Sequence, residues 1–287
     1  MIAAFFLLLS LSIQQNIIEV GRVEGFQNAI SITGDGKGNI YVLDNFSNEL
    51  IKFTFNLKEV KRVGRKGWAA GEFDSPTFVD CSTGLDIYVC DGKNYRIQRF
   101  DLNLSYIATI LTNAETIDSR FKFDTPLSST ILGSNMYVLD GENKRIVVYK
   151  TQNYSPFTSF GGFQSAEPPF IQPVKILSDN NNMMLYVYDK GRSAIYVYDN
   201  FGTYVKYIAY SNIKGVSVLN NYLYILTNEE IVEYNLIKNS YESLIKINDS
   251  IEKGSITNIL FYSKEPDKSY FFVLYKDKLI LYKLITQ

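Results

Sequence analysis

The sequence predicts an all-β fold, a six-bladed β-propeller of four-stranded antiparallel blades, and three observations lead to this prediction. The first is a tetrapeptide, YVLD or a close variant, that recurs about every 46 residues from about Asn28 to the end of the chain. The second is a succession of short apolar runs with turn residues between them. The third is a final unit that has only three strands of its own. The six copies of the tetrapeptide end at Asp44, Asp91, Asp140, Asp189, Thr227 and Tyr275.

Each repeat unit has the pattern of short strands. In the first unit the runs AISIT, NIYVLD, LIKFTF and EVKRVG follow one another, with turns at residues 35–36, 45–48 and 56–57. Six units of four antiparallel strands are the arrangement of a propeller. The second strand of each unit is apolar at nearly every position, which is typical of a strand covered on both faces, as happens between stacked blades.

The two ends of the chain are predicted to meet in one blade. The last unit supplies three strands, near residues 256–262, 270–275 and 278–284, whereas the segment NIIEVGRVEG at residues 16–25 has no unit of its own. We expect this segment to be the outer strand of the last blade, because such a splice removes an open seam from the ring. The predicted organisation is therefore a leader, residues 1–15, and a single propeller domain, residues 16–287.

Composition and charge exclude several classes of function. The 287 residues include 29 basic and 30 acidic side chains, a formal net charge of -1, so the basic surface that binds a nucleic-acid backbone is missing. The chain contains no histidine. This removes Ser-His-Asp and Cys-His nucleophile activation, histidine-ligated zinc and the commonest general base near neutral pH. An enzyme built on this chain would depend on carboxylates, lysine or tyrosine.

The two cysteines are predicted to be free and buried. Cys81 and Cys90 lie in FVDCSTGLDIYVCD, which we interpret as a hairpin turning near residues 82–84. In that register their Cα atoms are about 13 Å apart. A disulfide needs Cα atoms within about 7 Å, so no bridge is expected.

The leader has the character of an export signal. Its apolar run, residues 2–11, is about half the length of a membrane-spanning helix. Ser10 and Ser12 suit the small residues of a cleavage site, although the basic region that normally precedes the run is missing. We expect a secreted or periplasmic protein with no stable membrane insertion. The alternative is that the run forms a buried first strand or helix.

The motifs of the first four units resemble those of the NHL-repeat β-propeller family. The run GRKGWAAGEFDSP at residues 64–76, then DIYVCD, then NYRIQRFD at residues 94–101 follows the order of that family's consensus. The third unit has FKFDTP and MYVLDGENKRIVVY, the fourth has FIQP and LYVYDKGRSAIYVYD, and the first has GKGNIYVLD. The resemblance covers residues 28–210 and implies the propeller fold. It does not imply one function, because this scaffold hosts binding proteins, RNA binders and a few enzymes.

One face of the predicted ring carries the candidate binding residues. Strands reverse at each turn, so the loop between the second and third strands and the loop into the next blade emerge on the same face. The candidates on it are aromatic and cationic side chains, the types enriched at interface hot spots. They are Arg65, Lys66, Trp68, Tyr95, Arg96, Arg145, Phe163 and Arg192.

Some of these side chains also have a structural interpretation. Arg96 and Arg145 each follow an aspartate, Asp91 and Asp140, by five residues across a tight turn, so an Asp–Arg pair that fixes the turn is the favoured role. Arg192 follows Asp189 by only three residues, which weakens the pairing argument there. Trp68, the single tryptophan, is either an exposed anchor or a plug beneath its own loop.

The central channel is predicted to be lined by the first strand of each unit, and only Asp80 and Lys175 are charged among those strands. A channel metal enzyme needs several oxygen ligands from different blades. Asn28, Asn212 and Asn258 could contribute, but carboxylates are scarce. Asp80 is either a buried carboxylate paired with Lys175 or a ligand.

The sequence therefore predicts a monomeric, non-catalytic binding ring for a protein or peptide partner, with no required cofactor. Two alternatives stay open. One is a lactonase-like hydrolase or lyase with an ion, such as calcium, at the channel mouth. The other is a binder of carbohydrate or cell-wall polymer.

Overall fold

The computed structural model describes residues 16–163, 168–247, 251–252, 254–265 and 268–285. These residues form 24 strands in six antiparallel sheets of four strands each. The sheets are the blades of a ring, so the predicted six-bladed β-propeller is confirmed. The leader, residues 1–15, lies outside the described residues.

The first described strand is β1 (Asn16–Glu24), and the five blades that follow it are continuous in sequence. Blade 1 consists of β2 (Ala29–Gly34), β3 (Ile40–Asp44), β4 (Glu49–Phe53) and β5 (Glu59–Val63). Blade 2 consists of β6 (Pro76–Asp80), β7 (Asp86–Asp91), β8 (Arg96–Asp101) and β9 (Tyr106–Leu111). Blade 3 consists of β10 (Pro126–Leu132), β11 (Asn135–Asp140), β12 (Arg145–Lys150) and β13 (Pro156–Phe160).

The second half of the ring has the same organisation. Blade 4 consists of β14 (Pro173–Asp179), β15 (Met184–Asp189), β16 (Ala194–Asp199) and β17 (Tyr204–Ala209). Blade 5 consists of β18 (Gly215–Leu219), β19 (Tyr222–Leu226), β20 (Glu230–Asn235) and β21 (Ser240–Lys246). Blade 6 consists of β22 (Ile256–Glu265), β23 (Lys268–Tyr275), β24 (Lys278–Ile285) and β1. Two one-turn 3-10 helices, Gly92–Asn94 and Lys190–Arg192, lie between the second and third strands of blades 2 and 4.

The predicted splice in blade 6 is confirmed. β1 pairs antiparallel with β24 from Asn16 opposite Ile285 to Glu24 opposite Lys278, with one irregularity after Glu19. The outer strand of the last blade therefore comes from the other end of the described chain, and the ring closes by strand pairing.

The core consists of apolar layers between neighbouring blades. Every residue of β3 is buried, and all but the first residue is buried in β7, β11 and β15. Blades 1 and 6 illustrate the packing, since Ile40 and Val42 share a cluster with Leu279 and Leu281. The continuous apolar pattern of the second strands is thus explained by burial on both sheet faces.

Both cysteines are free and buried, as predicted. Cys90 pairs with Phe78 in the β6–β7 register, whereas Cys81 follows Asp80, which pairs with Tyr88. Their separation along the hairpin prevents a bridge. No helix in the described part of the chain has the length and apolar character needed to cross a membrane.

The ring has two unlike faces. The loop-rich face carries the turns between second and third strands and the connections between blades. The hairpin face carries the turns between first and second strands and those between third and fourth strands. The inner strands β2, β6, β10, β14, β18 and β22 contact one another in sequence around the channel.

Candidate functional site

The last residue of each repeat tetrapeptide lies at the loop-rich end of a second strand, and we call it the corner residue. In blade 1 the corner residue Asp44 accepts hydrogen bonds from the backbone N–H groups of Gln27 and Asn28 at 2.6 and 3.1 Å. It also accepts from the N–H groups of Phe46 and Ser47 in its own turn at 3.0 and 3.2 Å. One buried carboxylate therefore joins the turn to the connection that enters the blade.

In blade 2 the corner residue also holds an arginine. Asp91 is fully buried and accepts hydrogen bonds from Asp74 N at 2.7 Å and from Asn94 Nδ2 at 2.8 Å. Arg96 Nε lies 2.8 Å from Asp91 Oδ2, and Arg96 is only 3% exposed. The Asp–Arg pair expected at this turn is confirmed.

Arg96 then organises the long connection that precedes its blade. Its terminal nitrogens donate to the carbonyl oxygens of Trp68 at 2.6 Å, Ala69 at 3.2 Å and Glu72 at 2.8 Å. Gln98 adds a bond from Nε2 to the same Glu72 carbonyl at 2.6 Å. Because these internal acceptors surround the guanidinium, Arg96 fixes the loop and is not open to a partner.

Trp68 is the aromatic side chain that this loop presents. The Arg96 guanidinium carbon lies 4.9 Å from the centre of the Trp68 ring, a cation–π contact. Trp68 is nevertheless 58% exposed. Of the two interpretations of Trp68, the exposed anchor matches the geometry: arginine supports the ring, and more than half of the residue faces solvent.

Two further predicted aromatics are exposed on the loop-rich face. Tyr95 is 38% exposed and has a left-handed backbone with φ of 51°, which closes the 3-10 helix after Asp91. Phe163 is 75% exposed, and Lys144 Nζ lies 5.9 Å from the centre of its ring. Phe163 therefore contacts the turn of blade 3 from the connection into blade 4, whereas Trp68 contacts Arg96 from the connection into blade 2.

The predicted cations of the loop before blade 2 are exposed and paired. The side chain of Arg65 is 81% exposed and forms an ion pair with Glu72 at 2.6 Å. Lys66, with 72% of its side chain exposed, lies 3.9 Å from Asp74. Exposed pairs of this kind hold little free energy, so both cations can exchange their partner for a bound ligand.

The remaining two arginines are tied to loop backbone. Arg145 Nε contacts Asp140 Oδ2 at 2.9 Å, and its NH1 nitrogen donates to the carbonyl of Arg120 at 2.7 Å. Arg192 donates from Nε to the Pro169 carbonyl at 3.0 Å. Arg145 thus repeats the role of Arg96, whereas Arg192 contacts Asp189 through its backbone N–H group at 3.3 Å and uses its guanidinium for the loop.

Sequence inspection missed two exposed apolar residues on this face. Phe46, in the turn after Asp44, is 70% exposed, and Ile171, in the connection to blade 4, is 48% exposed. The available signal was an apolar residue inside an otherwise polar turn. With them, the large exposed apolar side chains that the described residues place on the loop-rich face belong to blades 1 to 4.

The channel contains a cavity of about 390 Å³ that opens on the hairpin face. Its rim includes the turn residues Gly36, Thr83 and Gly84. Its wall includes one residue from each inner strand, all at the same level of the ring. Within its own blade, each of these residues pairs with the second-strand residue that lies three positions before the corner residue. They are Thr33, Asp80, Thr130, Leu177, Ser217 and Leu260.

The floor of the cavity is Phe78 and Lys175. Both pair with the residue just before a corner residue, one layer nearer the loop-rich face. Lys175 Nζ lies 5.8 Å from the centre of the Phe78 ring. It donates to Val216 O at 2.9 Å and to Asn258 Oδ1 at 2.8 Å, so it joins blades 4, 5 and 6. Burial lowers the pKa of Lys175 to about 7.

Asp80 is held by hydroxyl groups, and a direct pair with Lys175 is wrong. Ser82 donates to its carboxylate at 2.8 Å and Thr130 at 3.3 Å. The Lys175 ammonium instead contacts Val216 and Asn258. Lys175 lies two residues nearer the loop-rich face than Asp80, which separates the two charged groups along the channel. Burial raises the pKa of Asp80 to about 6, and the distant positive charge only partly opposes this.

The donor set of the channel does not fit a calcium ion. Calcium takes six to eight oxygen ligands, usually with several carboxylates. Two carboxylates line the cavity, those of Asp35 and Asp80, and Asp35 already accepts hydrogen bonds within its own blade. The side-chain oxygen of Asn258 is already bound to the Lys175 ammonium. Across the described ranges, no group of three or more Asp, Glu or Cys side chains is placed to hold a metal.

Comparison with known proteins shows the fold. No family model and no curated protein sequence matches the chain, so the NHL relationship stays a resemblance. A streptogramin B lyase structure matches with a TM-score of 0.63 at 11% identity, over 94% of this chain and 98% of the lyase. Selenomethionine-substituted virginiamycin B lyase from Staphylococcus aureus gives a TM-score of 0.63 at 11% identity, over 95% and 100%.

A third similar structure is a catalytically inactive histidine-to-alanine variant of the Staphylococcus aureus virginiamycin B lyase with quinupristin. Its TM-score is 0.61 at 11% identity, over 95% of this chain and 100% of that one. At this level of identity the three similarities establish a common six-bladed propeller and nothing finer.

Proposed function

We propose that the chain is a non-catalytic binding ring that presents its loop-rich face to a protein or peptide partner. The observation that carries the proposal is the presentation of Trp68, which is 58% exposed and rests on the buried Arg96 guanidinium. Large aromatics dominate interface hot spots, and a side chain ordered before binding loses little entropy on association.

The surroundings of Trp68 suit a peptide. Both signs of charge lie beside it in two ion pairs, Arg65 with Glu72 and Lys66 with Asp74. Neither ion pair is buried. Exposed Tyr95 lies in the turn that Arg96 anchors. An apolar anchor between exchangeable charges is the common form of a binding-site centre with a polar rim.

A lyase activity at the channel mouth is the enzymatic alternative, since the similar structures include lyases. One of these is described as catalytically inactive after a histidine-to-alanine substitution, and this chain has no histidine. A lyase on this chain would have to use different groups. The non-catalytic proposal is therefore preferred.

Export to a secreted or periplasmic location is part of the proposal and rests on residues 1–15. Mass spectrometry of protein recovered from the host is the test. We expect a mature amino terminus shortly after Ser12, and an intact leader on the cytoplasmic protein would contradict export.

The binding proposal is tested by selecting peptides from a displayed random library against the immobilised protein. The selected peptides are then titrated against Trp68→Ala and a matched control, Phe201→Ala. Phe201 is 82% exposed and lies on the hairpin face, in the turn between β16 and β17. We expect Trp68→Ala to weaken binding by roughly 30-fold or more, as for a hot spot, and Phe201→Ala to have no effect. Equal affinity for both variants would contradict the proposal.

A further inference from the structure

We propose that the channel cavity binds a small zwitterion of the α-amino-acid type, with its carboxylate on Lys175 and its ammonium on Asp80. The site lies on the opposite side of the ring from Trp68 and is independent of the binding function proposed above.

The cavity carries two opposite charges at different depths. Lys175 and Asp80 are the charged residues among the cavity-lining side chains apart from Asp35, whose carboxylate already accepts hydrogen bonds from Asn39, Lys37 and Tyr41 within its own blade. Lys175 lies at the floor and Asp80 on the wall, two residues further toward the opening. This offset is about 7 Å along the channel at the usual rise of a strand. The cavity therefore has a positive end and a negative side that do not neutralise each other by contact.

Lys175 and Asp80 both keep hydrogen-bonding capacity toward the cavity. Two of the three N–H groups of Lys175 are used, by Val216 and Asn258, and no described residue takes the third. The Asp80 carboxylate accepts from Ser82 and Thr130, which leaves lone pairs available. Burying a charge without a direct counterion costs desolvation free energy. A ligand that supplies a counterion to both groups therefore binds more favourably than one that supplies a single counterion.

The Lys175 head group is fixed at the floor by neighbouring blades. Lys175, in blade 4, bonds Asn258 in blade 6 and the carbonyl of Val216 in blade 5. Gly215, next to Val216, pairs at the same level of the ring as Lys175 and Asn258. A Cβ atom at Gly215 would lie only 3.0 Å from the backbone nitrogen of Ile259. Blades 5 and 6 thus approach closely there, and the lysine head group is fixed across them. A fixed ammonium is pre-organised for a carboxylate.

The rest of the cavity lining combines hydroxyl groups with apolar side chains. Thr130 Oγ1 lies 2.8 Å from Ser178 Oγ and 3.3 Å from Ser82 Oγ, so a chain of hydroxyls surrounds Asp80. Hydroxyls can turn to accept from an ammonium while they still donate elsewhere. Apolar residues such as Ile32 and Phe261 cover other parts of the wall and leave a surface for a ligand's side chain. A pocket of few polar groups within an apolar wall is the usual small-molecule site.

The test is calorimetric titration of the full chain with glycine, L-alanine and L-leucine, beside acetate and ethylammonium as probes with one charge. We expect at least one amino acid to bind the wild-type chain about tenfold more tightly than either single-charge probe, because both charges are engaged. Amino acids that bind no more tightly than acetate and ethylammonium, or that do not bind, would overturn the proposal. This comparison needs no variant.

Two substitutions then assign the ends of the ligand. Asp80→Asn keeps the shape of the side chain and should weaken amino-acid binding about tenfold while acetate binding is unchanged. Lys175→Met should weaken both. Lys52→Met is the matched control, since Lys52 is also buried, at 7% exposure, but bonds Leu102 O outside the channel. Amino-acid binding that survives Asp80→Asn and Lys175→Met, or that is lost equally in Lys52→Met, would overturn the assignment.

Discussion

Blades 2 to 4 and blade 5 differ in how they build the loop-rich face. The connections into blades 2, 3 and 4 have 12, 14 and 12 residues, whereas the connection into blade 5 has only five. The long connections enter blades whose corner residue is an aspartate, and the short one enters the blade in which Thr227 takes that place. A carboxylate has the capacity to bind a turn and a long loop together, and a single hydroxyl does not.

The hydrogen bonds agree with this difference. Asp189 accepts from the backbone N–H groups of Ile171 and Gln172 in the incoming connection and from Gly191 in the turn. Thr227 Oγ1 accepts only from Glu229 and Glu230 in its own turn. The corner aspartate thus allows a blade to carry a large loop. The predicted binding residues are confined to blades whose corner residue is an aspartate.

Blades 4 to 6 are instead joined from inside the channel. Lys175 contacts blade 5 at Val216 and blade 6 at Asn258, and blade 6 is completed by β1. Blades 4 to 6 therefore depend on the channel lysine and on closure by the strand from the other end of the described chain.

Removing the closing strand is the most severe way to test this dependence. Deletion of residues 17–23 takes the outer strand from β24, removes the buried Ile17 side chain and exposes the apolar layer of blade 6 that includes Leu284. We expect loss of the cooperative thermal transition of the whole ring, since blade 6 also packs against blade 1. A melting temperature equal to that of the full chain, measured by circular dichroism, would show that the splice is not structural.

The next largest effect is expected at the corner of blade 2. Asp91→Ala leaves the buried Arg96 guanidinium without its carboxylate and should lower the free energy of unfolding by about 3–5 kcal/mol. Asp140→Ala should cost less, because the side chain of Arg145 is 20% exposed against 4% for Arg96. Chemical denaturation of both variants measures the order, and a larger loss for Asp140→Ala would contradict it.

The channel lysine Lys175 is expected to make the free energy of unfolding depend on pH in the alkaline range. The pKa of Lys175 is about 7 in the folded chain against 10.5 for an unperturbed lysine, so the unfolded state binds more protons between these values. Stability contributed through this group therefore rises as pH increases from about 7 toward 10.5, by an amount on the order of a few kcal/mol.

Lys175→Met should remove that slope. The measurement is the free energy of unfolding of wild type and variant across the alkaline range, in which all other groups contribute equally to both. A difference between the two proteins that does not change with pH would show that Lys175 is not held in a low-dielectric site.

The smallest effect is expected at the corner of blade 5. Thr227→Ala removes three hydrogen bonds within a four-residue turn and should lower the free energy of unfolding by about 1 kcal/mol. Thr227→Asp would sharpen the comparison further: we expect no gain in stability, since the backbone N–H group of Lys214, at the end of the incoming connection, already donates to Leu226 O. Stabilisation by Thr227→Asp would show that a carboxylate does find a partner in this connection.

The sequence was sufficient for the features that repeat. The tetrapeptide spacing predicted six blades, the unassigned segment at residues 16–25 predicted the splice, and the five-residue spacing predicted the Asp91–Arg96 pair. These features are local or periodic, so one chain contains the signal. The contact of Lys175 with Asn258 joins residues 83 positions apart, and the repeat pattern of the sequence does not predict it. The exposure of Trp68 likewise depends on where Arg96 lies in three dimensions.

The central claim, that Trp68 is the exposed anchor of the binding face, is tested most directly by its own fluorescence. The chain has a single tryptophan, so emission and acrylamide quenching report this residue alone. We predict that the free protein is readily quenched, and that a saturating selected peptide without tryptophan shields Trp68 from acrylamide. Quenching that is equally efficient with and without the bound peptide would contradict the claim.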